Sequence, residues 1–263
     1  MGDPRPLGVF DSGIGGLTVF RALTARLPRE RILYLGDTAR VPYGTKSAET
    51  VIRYTRESAR FLLRRGIKAL VVACNTASAL ALPNLDLRGV PTWGVIEPGA
   101  RQAAAASRGR VGVIATEATV RSDAYPKALR AVRPDLEILS KACPLFVPLV
   151  EEGWHDDPVT AEVAERYLRP LLDAGVDTLV LGCTHYPLLK PVLQRIAGPD
   201  VMLVDSAEAV AEMVAAGLAE KGLASTHEPH HHFCVTDSGE TFQRLARTIL
   251  KDEGVTLEWV EVV

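Results

Sequence analysis

The sequence carries no excess of basic charge. Its 263 residues hold 30 Lys and Arg against 32 Asp and Glu, a formal charge of −2. That leaves out the basic footprint that nucleic-acid binders present. A small anionic ligand would have to be held by local groups, because no global field attracts it. No run approaches the 18 apolar residues of a membrane span. Met1-Gly2-Asp3-Pro4-Arg5-Pro6 has neither a basic n-region nor an apolar stretch, so no signal peptide is expected. Pro6 stands where a myristoylation motif has Ser or Thr. Cysteine is sparse: Cys74, Cys143, Cys183 and Cys234, with no CxxC pair. This spacing argues against a zinc site, and in a reducing cytosol the four are expected as thiols. The expected location is cytoplasmic, with no nucleic-acid and no membrane partner.

Two familiar phosphate motifs are also missing. Asp11-Ser12-Gly13-Ile14-Gly15-Gly16 is a glycine-rich turn after the apolar run Leu7-Gly8-Val9-Phe10. Thr18 stands where the dinucleotide fingerprint needs its third Gly, and the P-loop lysine is absent. The turn is shaped either for a small anion such as a carboxylate, its N–H groups converging at a helix N-terminus, or simply for a tight strand-to-helix reversal. Both readings stay open at this point.

An ordinary core is present. Hydrophobic residues make up 47% and charged residues 24% of the chain, as in soluble globular proteins, and the length suits one large or two small domains. The chain is organised around two matching stretches, Leu70-Val71-Val72-Ala73-Cys74-Asn75-Thr76-Ala77 and Leu179-Val180-Leu181-Gly182-Cys183-Thr184-His185-Tyr186. Each is an apolar β-branched run, as in a buried parallel strand, ending on a cysteine followed by polar side chains. Each follows a helix-like segment and a Gly turn, at Gly66 and Gly175. Ligands of open α/β sheets bind just past the carboxyl ends of strands, so both cysteines stand where chemistry is expected.

Other features recur with the cysteines, which are 109 residues apart. Gly109–Thr116 repeats the first strand, with Thr116 answering Asp11-Ser12, and Val147-Pro148 echoes Val41-Pro42. Strands and helices alternate throughout with short connections, a break is expected at Glu97-Pro98-Gly99, and single helices are expected near 77–86 and over 120–130. The expected fold is α/β, with two pseudo-symmetric parallel-sheet domains related by internal duplication and an active site in the cleft between them.

Two thiols facing one ligand can invert a carbon acid. One, as thiolate, takes the Cα proton while the other, as thiol, delivers a proton to the opposite face. A free thiol with a pKa of about 8.5 is suited to serve as either base or acid near neutrality. A lone cysteine at a strand end is ordinarily a small buried hydrophobe, but a matched pair with polar followers points to chemistry. Asp11 is expected beside Cys74 and His185 beside Cys183, each tuning its thiol. Asn75, Thr76 and Thr184 offer uncharged groups to an amino-acid backbone. Cys143 and Cys234 are expected to be structural. The His230-His231-His232 run reads as a solvated loop with no Cys or carboxylate at supporting spacing, so no metal site is expected.

Asp11–Val19, Val41-Pro42-Tyr43-Gly44, Cys74-Asn75-Thr76-Ala77, Gly94–Gly99 and Gly182-Cys183-Thr184-His185-Tyr186-Pro187 together resemble the glutamate racemase family over nearly the whole chain. The resemblance implies a cofactor-independent amino-acid racemase supplying D-glutamate for peptidoglycan, hence for cell-wall synthesis and cell shape. It implies catalytic thiols at Cys74, acting on the D-enantiomer, and Cys183, acting on the L-enantiomer, assisted by Asp11, His185 and Glu151. Substrate contacts map onto Asp11, Ser12, Tyr43, Gly44, Asn75, Thr76, Thr184 and His185, with Thr116 and Thr119 as further positions. It implies a first domain of residues 1–97 plus 209–263 and a second of 98–208. A homodimer is an added expectation. Three other readings remain: a related two-thiol racemase acting on aspartate or another small carbon acid, a thiol redox sensor whose cysteines approach disulfide geometry, and a non-enzymatic anion-binding module using only the Asp11–Gly16 loop.

Overall fold

Short apolar strands with no exposed face can be satisfied only inside a sheet covered on both sides. The computed structural model of the protein describes residues 2–87, 89–237, 239–251 and 255–262. Its strands are β1 (Leu7–Asp11), β2 (Ile32–Gly36), β3 (Ala69–Val72), β4 (Thr92–Gly94), β5 (Arg110–Ala115), β6 (Glu137–Ala142), β7 (Thr178–Gly182), β8 (Met202–Val204), β9 (His232–Val235) and β10 (Leu257–Trp259). Every residue of β1, β2, β3 and β7 is buried. One sheet has the order β10-β9-β2-β1-β3-β4 and the other β6-β5-β7-β8, and all pairings are parallel.

The duplication is written in the strand order. β2-β1-β3-β4 and β6-β5-β7-β8 are the same arrangement, with β9 and β10 added at the β2 edge of the first sheet. The helices are α1 (Leu17–Arg26), α2 (Ala48–Arg64), α3 (Asn75–Leu80), α4 (Ile96–Ala106), α5 (Glu117–Arg121), α6 (Ala124–Val132), α7 (Phe146–Glu151), α8 (Pro158–Asp173), α9 (Lys190–Ala197), α10 (Ala207–Glu220) and α11 (Glu240–Leu250). α2 starts where the Ser47 side chain accepts from the Thr50 N–H at 3.3 Å. It buries Val51, Thr55, Ala59 and Leu62 on one face. α2 and α8, which lead into the two cysteine strands, are each followed by a glycine with φ of +76°, Gly66 and Gly175. That left-handed conformation ends a helix at little cost only when the residue lacks a Cβ. α10 packs on α1 and α4. No helix among the described residues is long and apolar enough to cross a membrane.

Several local expectations change. Glu97-Pro98-Gly99, where a break between domains is expected, is not irregular: it forms the first turn of α4, where the N–H that proline lacks would have no helical partner anyway. The single helix expected over 120–130 is two, α5 and α6, interrupted at Asp123, whose φ is +57°. The helix expected near 77–86 starts earlier, at Asn75, and gives way to a 3-10 turn at Leu82–Asn84. The Val-Pro echo has no common backbone. Val41-Pro42 is a cis peptide between two 3-10 turns, whereas Val147-Pro148 lies inside α7. His232 opens β9 and is not loop.

Candidate active site

Where β3 ends, Cys74 becomes the N-cap of α3, and its Sγ accepts from the Ala77 N–H at 3.5 Å. Where β7 ends, Cys183 follows Gly182 and precedes the 3-10 turn Tyr186–Leu189. The two sulfurs therefore leave equivalent strands of two sheets. Both side chains are buried and line one narrow cavity of about 20 Å³, room for about one water molecule. All four cysteines are free thiols.

The surroundings of the two sulfurs differ. Burial disfavours the Cys74 thiolate most, the negative charge of Asp11 adds to this, and together they push its pKa up to about 12. The Ser12 hydroxyl and the Ala77 N–H pull the other way. Cys183 Sγ lies 3.8 Å from His185 Nδ1, and His185 Nε2 lies 3.2 Å from Glu151 Oε1. Burial works against charge on the imidazole. Hydrogen bonds to Cys183 and Glu151, with the charges of both, outweigh burial and raise the His185 pKa to about 10. Cys183 Sγ, the His185 imidazole and the Glu151 carboxylate thus form a chain of contacts, while burial and Asp11 favour the protonated form of Cys74.

Asp11 is fully buried at the end of β1. Its Oδ2 accepts from the Gly13 N–H at 3.0 Å, and its Oδ1 accepts from the Thr184 hydroxyl at 3.2 Å. Burial raises its pKa, against the charge of His185 and the N–H groups of Gly13 and Gly16. The glycine-rich turn therefore does cradle a carboxylate, and that carboxylate is the chain's own Asp11. The turn is glycine for a second reason. A Cβ on Gly15 would stand 2.5 Å from Thr184 Oγ1 and 2.6 Å from His185 Nδ1, and one on Gly44 would stand 2.5 Å from Thr116 Cβ. Both glycines let the first half meet the second at contact distance.

The family model for Asp/Glu/hydantoin racemases matches residues 16–214. The chain is 55% identical to the glutamate racemase of Geobacter metallireducens over 94% of its own length and 93% of the relative's. The chain belongs to this racemase family. Its structure superposes on a glutamate racemase from Bacillus anthracis with a TM-score of 0.94 at 39% identity, covering 98% of each chain. A glutamate racemase from Francisella tularensis, solved in complex with D-glutamate, gives a TM-score of 0.93 at 39% identity, over 99% of this chain and 98% of that one.

The remaining expected positions of this family member fall into three groups. Ser12, Tyr43, Gly44, Asn75 and Thr76 line the cavity, as do Thr116, Thr184 and His185. Thr119 does not line it but completes a triangle of hydroxyls. Thr76 Oγ1 lies 2.9 Å from Thr116 Oγ1 and 3.1 Å from Thr119 Oγ1, and the last two are 3.0 Å apart. Glu151 and Asp11 stand behind the lining and reach it through His185 and Thr184.

Sequence reasoning missed the groups that hold the lining in place. The buried Tyr43 hydroxyl donates to Asp37, and burial beside that carboxylate raises the phenol strongly. Asp37 also accepts from Arg40 Nε at 2.7 Å and from the Thr236 hydroxyl at 3.0 Å. The Arg40 spacing, three residues on, was the available signal. Tyr125 donates to Asn75 Oδ1 at 2.6 Å across the two halves, and nothing local in the sequence marks it. Val41 and Val147, the dissimilar Val-Pro segments, both face the cavity.

Proposed function

We propose that the protein interconverts L- and D-glutamate without a cofactor, by proton abstraction and donation at Cα between Cys183 and Cys74. The observation that carries this is a single buried cavity lined by two thiols from equivalent strand ends. Its relatives and structural neighbours named glutamate racemase support glutamate as the substrate.

In the L-to-D direction, Cys183 acts as thiolate and takes the Cα proton. His185, its charge favoured by Glu151, lies against that sulfur. Cys74 then gives its proton to the opposite face, leaving Cys183 protonated and Cys74 as thiolate. Exchange with solvent resets the pair. The D-to-L direction uses the same steps reversed. It needs the Cys74 thiolate, which burial and Asp11 disfavour, so the ammonium of bound glutamate supplies the compensating positive charge. Ser12, Asn75, Thr76, Tyr43, Gly44 and Thr184 hold the carboxylates and ammonium, with Thr116 beside them.

The reading extends to domains of 1–97 plus 209–263 and 98–208, supported by the return of β9 and β10 to the first sheet. It also extends to a cytoplasmic homodimer that supplies D-glutamate for peptidoglycan, with free thiols suited to a reducing compartment. The test is racemisation of each enantiomer of glutamate and of aspartate, with no added cofactor, followed by optical rotation. Turnover of glutamate well above aspartate is expected. Preference for aspartate would assign the chain to the related two-thiol racemases, and no turnover of either would overturn the substrate assignment. Light scattering at assay concentration tests the dimer, for which a monomer mass would be the contrary result.

A further inference from the structure

Far from the cleft, the added edge of the first sheet brings three metal-capable side chains together. β9 and β10 pair in parallel with Glu258 opposite Cys234. His232 stands two residues before Cys234, so strand alternation puts both on one face. Among the described residues, donor atoms of His232, Cys234 and Glu258 all lie within 4.8 Å of one another. The spacing around the histidine run did not show these partners: the cysteine is two residues on, and the carboxylate comes from the neighbouring strand.

The three groups converge on one atom. Glu258 Oε2 contacts His232 Nε2 and lies 3.8 Å from Cys234 Sγ. The other oxygen, Oε1, is held by Arg65 Nη2 at 2.6 Å, while Arg65 Nη1 reaches Oε2 at 3.3 Å. Arg65 follows α2 and also stacks over Phe61, 4.9 Å from the ring centroid. The guanidinium is thus anchored from its own side and fixes the carboxylate's orientation, as outer-layer partners do in metal sites. Cys234 is fully buried, whereas His232 and Glu258 are partly open to solvent. The arrangement has a sulfur at the bottom, a nitrogen and an oxygen at the rim, and a path from solvent.

We propose that His232, Cys234 and Glu258 form a binding site for a borderline-soft divalent cation of the zinc type, coordinated by Nε2, Sγ and Oε2 with water in the fourth position. A sulfur–nitrogen–oxygen set selects such a cation over magnesium or calcium, which take oxygen alone. Binding releases the thiol proton to solvent. The thiolate and carboxylate together outweigh the neighbouring Arg65 charge. The site is separate from the catalytic thiols, and its role is to tie β10 to β9.

Cobalt(II) is the probe, because coordination by a thiolate gives a charge-transfer absorption in the near ultraviolet. One equivalent is added to the full-length protein, to the Cys74→Ser/Cys183→Ser double variant, to His232→Ala and to Cys234→Ser. The absorption is expected in the first two. In the last two it should be lost or require about 10-fold or more cobalt, the scale on which loss of a supporting group weakens a site. His232 is at the surface, so His232→Ala keeps the test valid if Cys234→Ser folds poorly. Zinc should also raise the melting temperature of the wild type and leave that of His232→Ala unchanged. No absorption in the wild type, or absorption that persists in Cys234→Ser and vanishes in the Cys74→Ser/Cys183→Ser variant, would overturn the proposal.

Discussion

In the half that carries Cys74, the sulfur caps a short helix, meets a serine hydroxyl and lies near a buried aspartate. In the half that carries Cys183, it meets an imidazole backed by a glutamate. The strand order beneath them is the same. Duplication supplied two equivalent positions at strand ends, and divergence of the flanking residues gave them different neighbours. A symmetric pair would share a single proton with no preference for which sulfur carries the charge. Inversion needs one thiol and one thiolate, and burial with the charge of Asp11 favours the protonated form of Cys74 before substrate arrives.

The largest test of this asymmetry is removal of either sulfur. Cys74→Ser and Cys183→Ser should each lower racemisation kcat by about 10²–10⁴-fold, the usual contribution of a positioned acid or base. Because the equilibrium constant of a racemisation is one, kcat/KM must fall equally in both directions, and any asymmetry will show as matched differences in kcat and KM. A variant retaining near wild-type turnover in polarimetry would remove that sulfur from the mechanism.

Next in size is the contact between the halves. Gly15→Ala sets a methyl against Thr184 and His185 at 2.5–2.6 Å, and overpacking of this kind costs about 1–3 kcal/mol. Activity should fall more than melting temperature, since the closed cavity is what the methyl opposes. An unaffected kcat would show that the halves need not meet this closely.

Glu151→Gln isolates the chain of contacts at Cys183. Without the carboxylate the His185 pKa falls from about 10, and a shift of about one unit corresponds to ~10-fold in the charged fraction on the alkaline side. The alkaline limb of the L-to-D kcat profile should move to lower pH, with the D-to-L kcat profile moving less; the kcat/KM profiles must move together. Equal movement of both would mean that His185 serves both thiols.

The smallest effect expected is on stability. The His185 pKa is raised from 6.5 to about 10, so the proton it binds on folding stabilises the native state fully below about pH 6.5. That contribution is lost as pH rises through about 10. The melting-temperature gap between wild type and His185→Gln should therefore be widest near pH 6 and narrow toward pH 10. A gap that widens with pH would contradict the charged imidazole.

Much of this was legible in the sequence because the signals were local. Buried parallel strands betray themselves as β-branched runs, and Gly66 and Gly175 mark helix ends through their own backbone conformation. Cys74 and Cys183 stood out because they end two matched strands, and His185 because it follows the second of them. What was not legible depends on tertiary approach. Tyr125 reaches Asn75 from 50 residues away, and Glu258 meets Cys234 through strand register. Neither leaves a local pattern. Val147-Pro148 misled because the same dipeptide fits a helix start as readily as an extended loop.

The most direct test of the central claim is the face on which each thiol works. Wild type, Cys74→Ser and Cys183→Ser would be incubated with L- and with D-glutamate in deuterated water, and Cα deuterium followed by NMR alongside optical rotation. The account predicts inversion with exchange in wild type. Cys74→Ser should exchange L-glutamate slowly without inverting it and leave D-glutamate untouched, and Cys183→Ser should do the reverse. Exchange of both enantiomers by either single variant would contradict a mechanism in which each thiol serves one face.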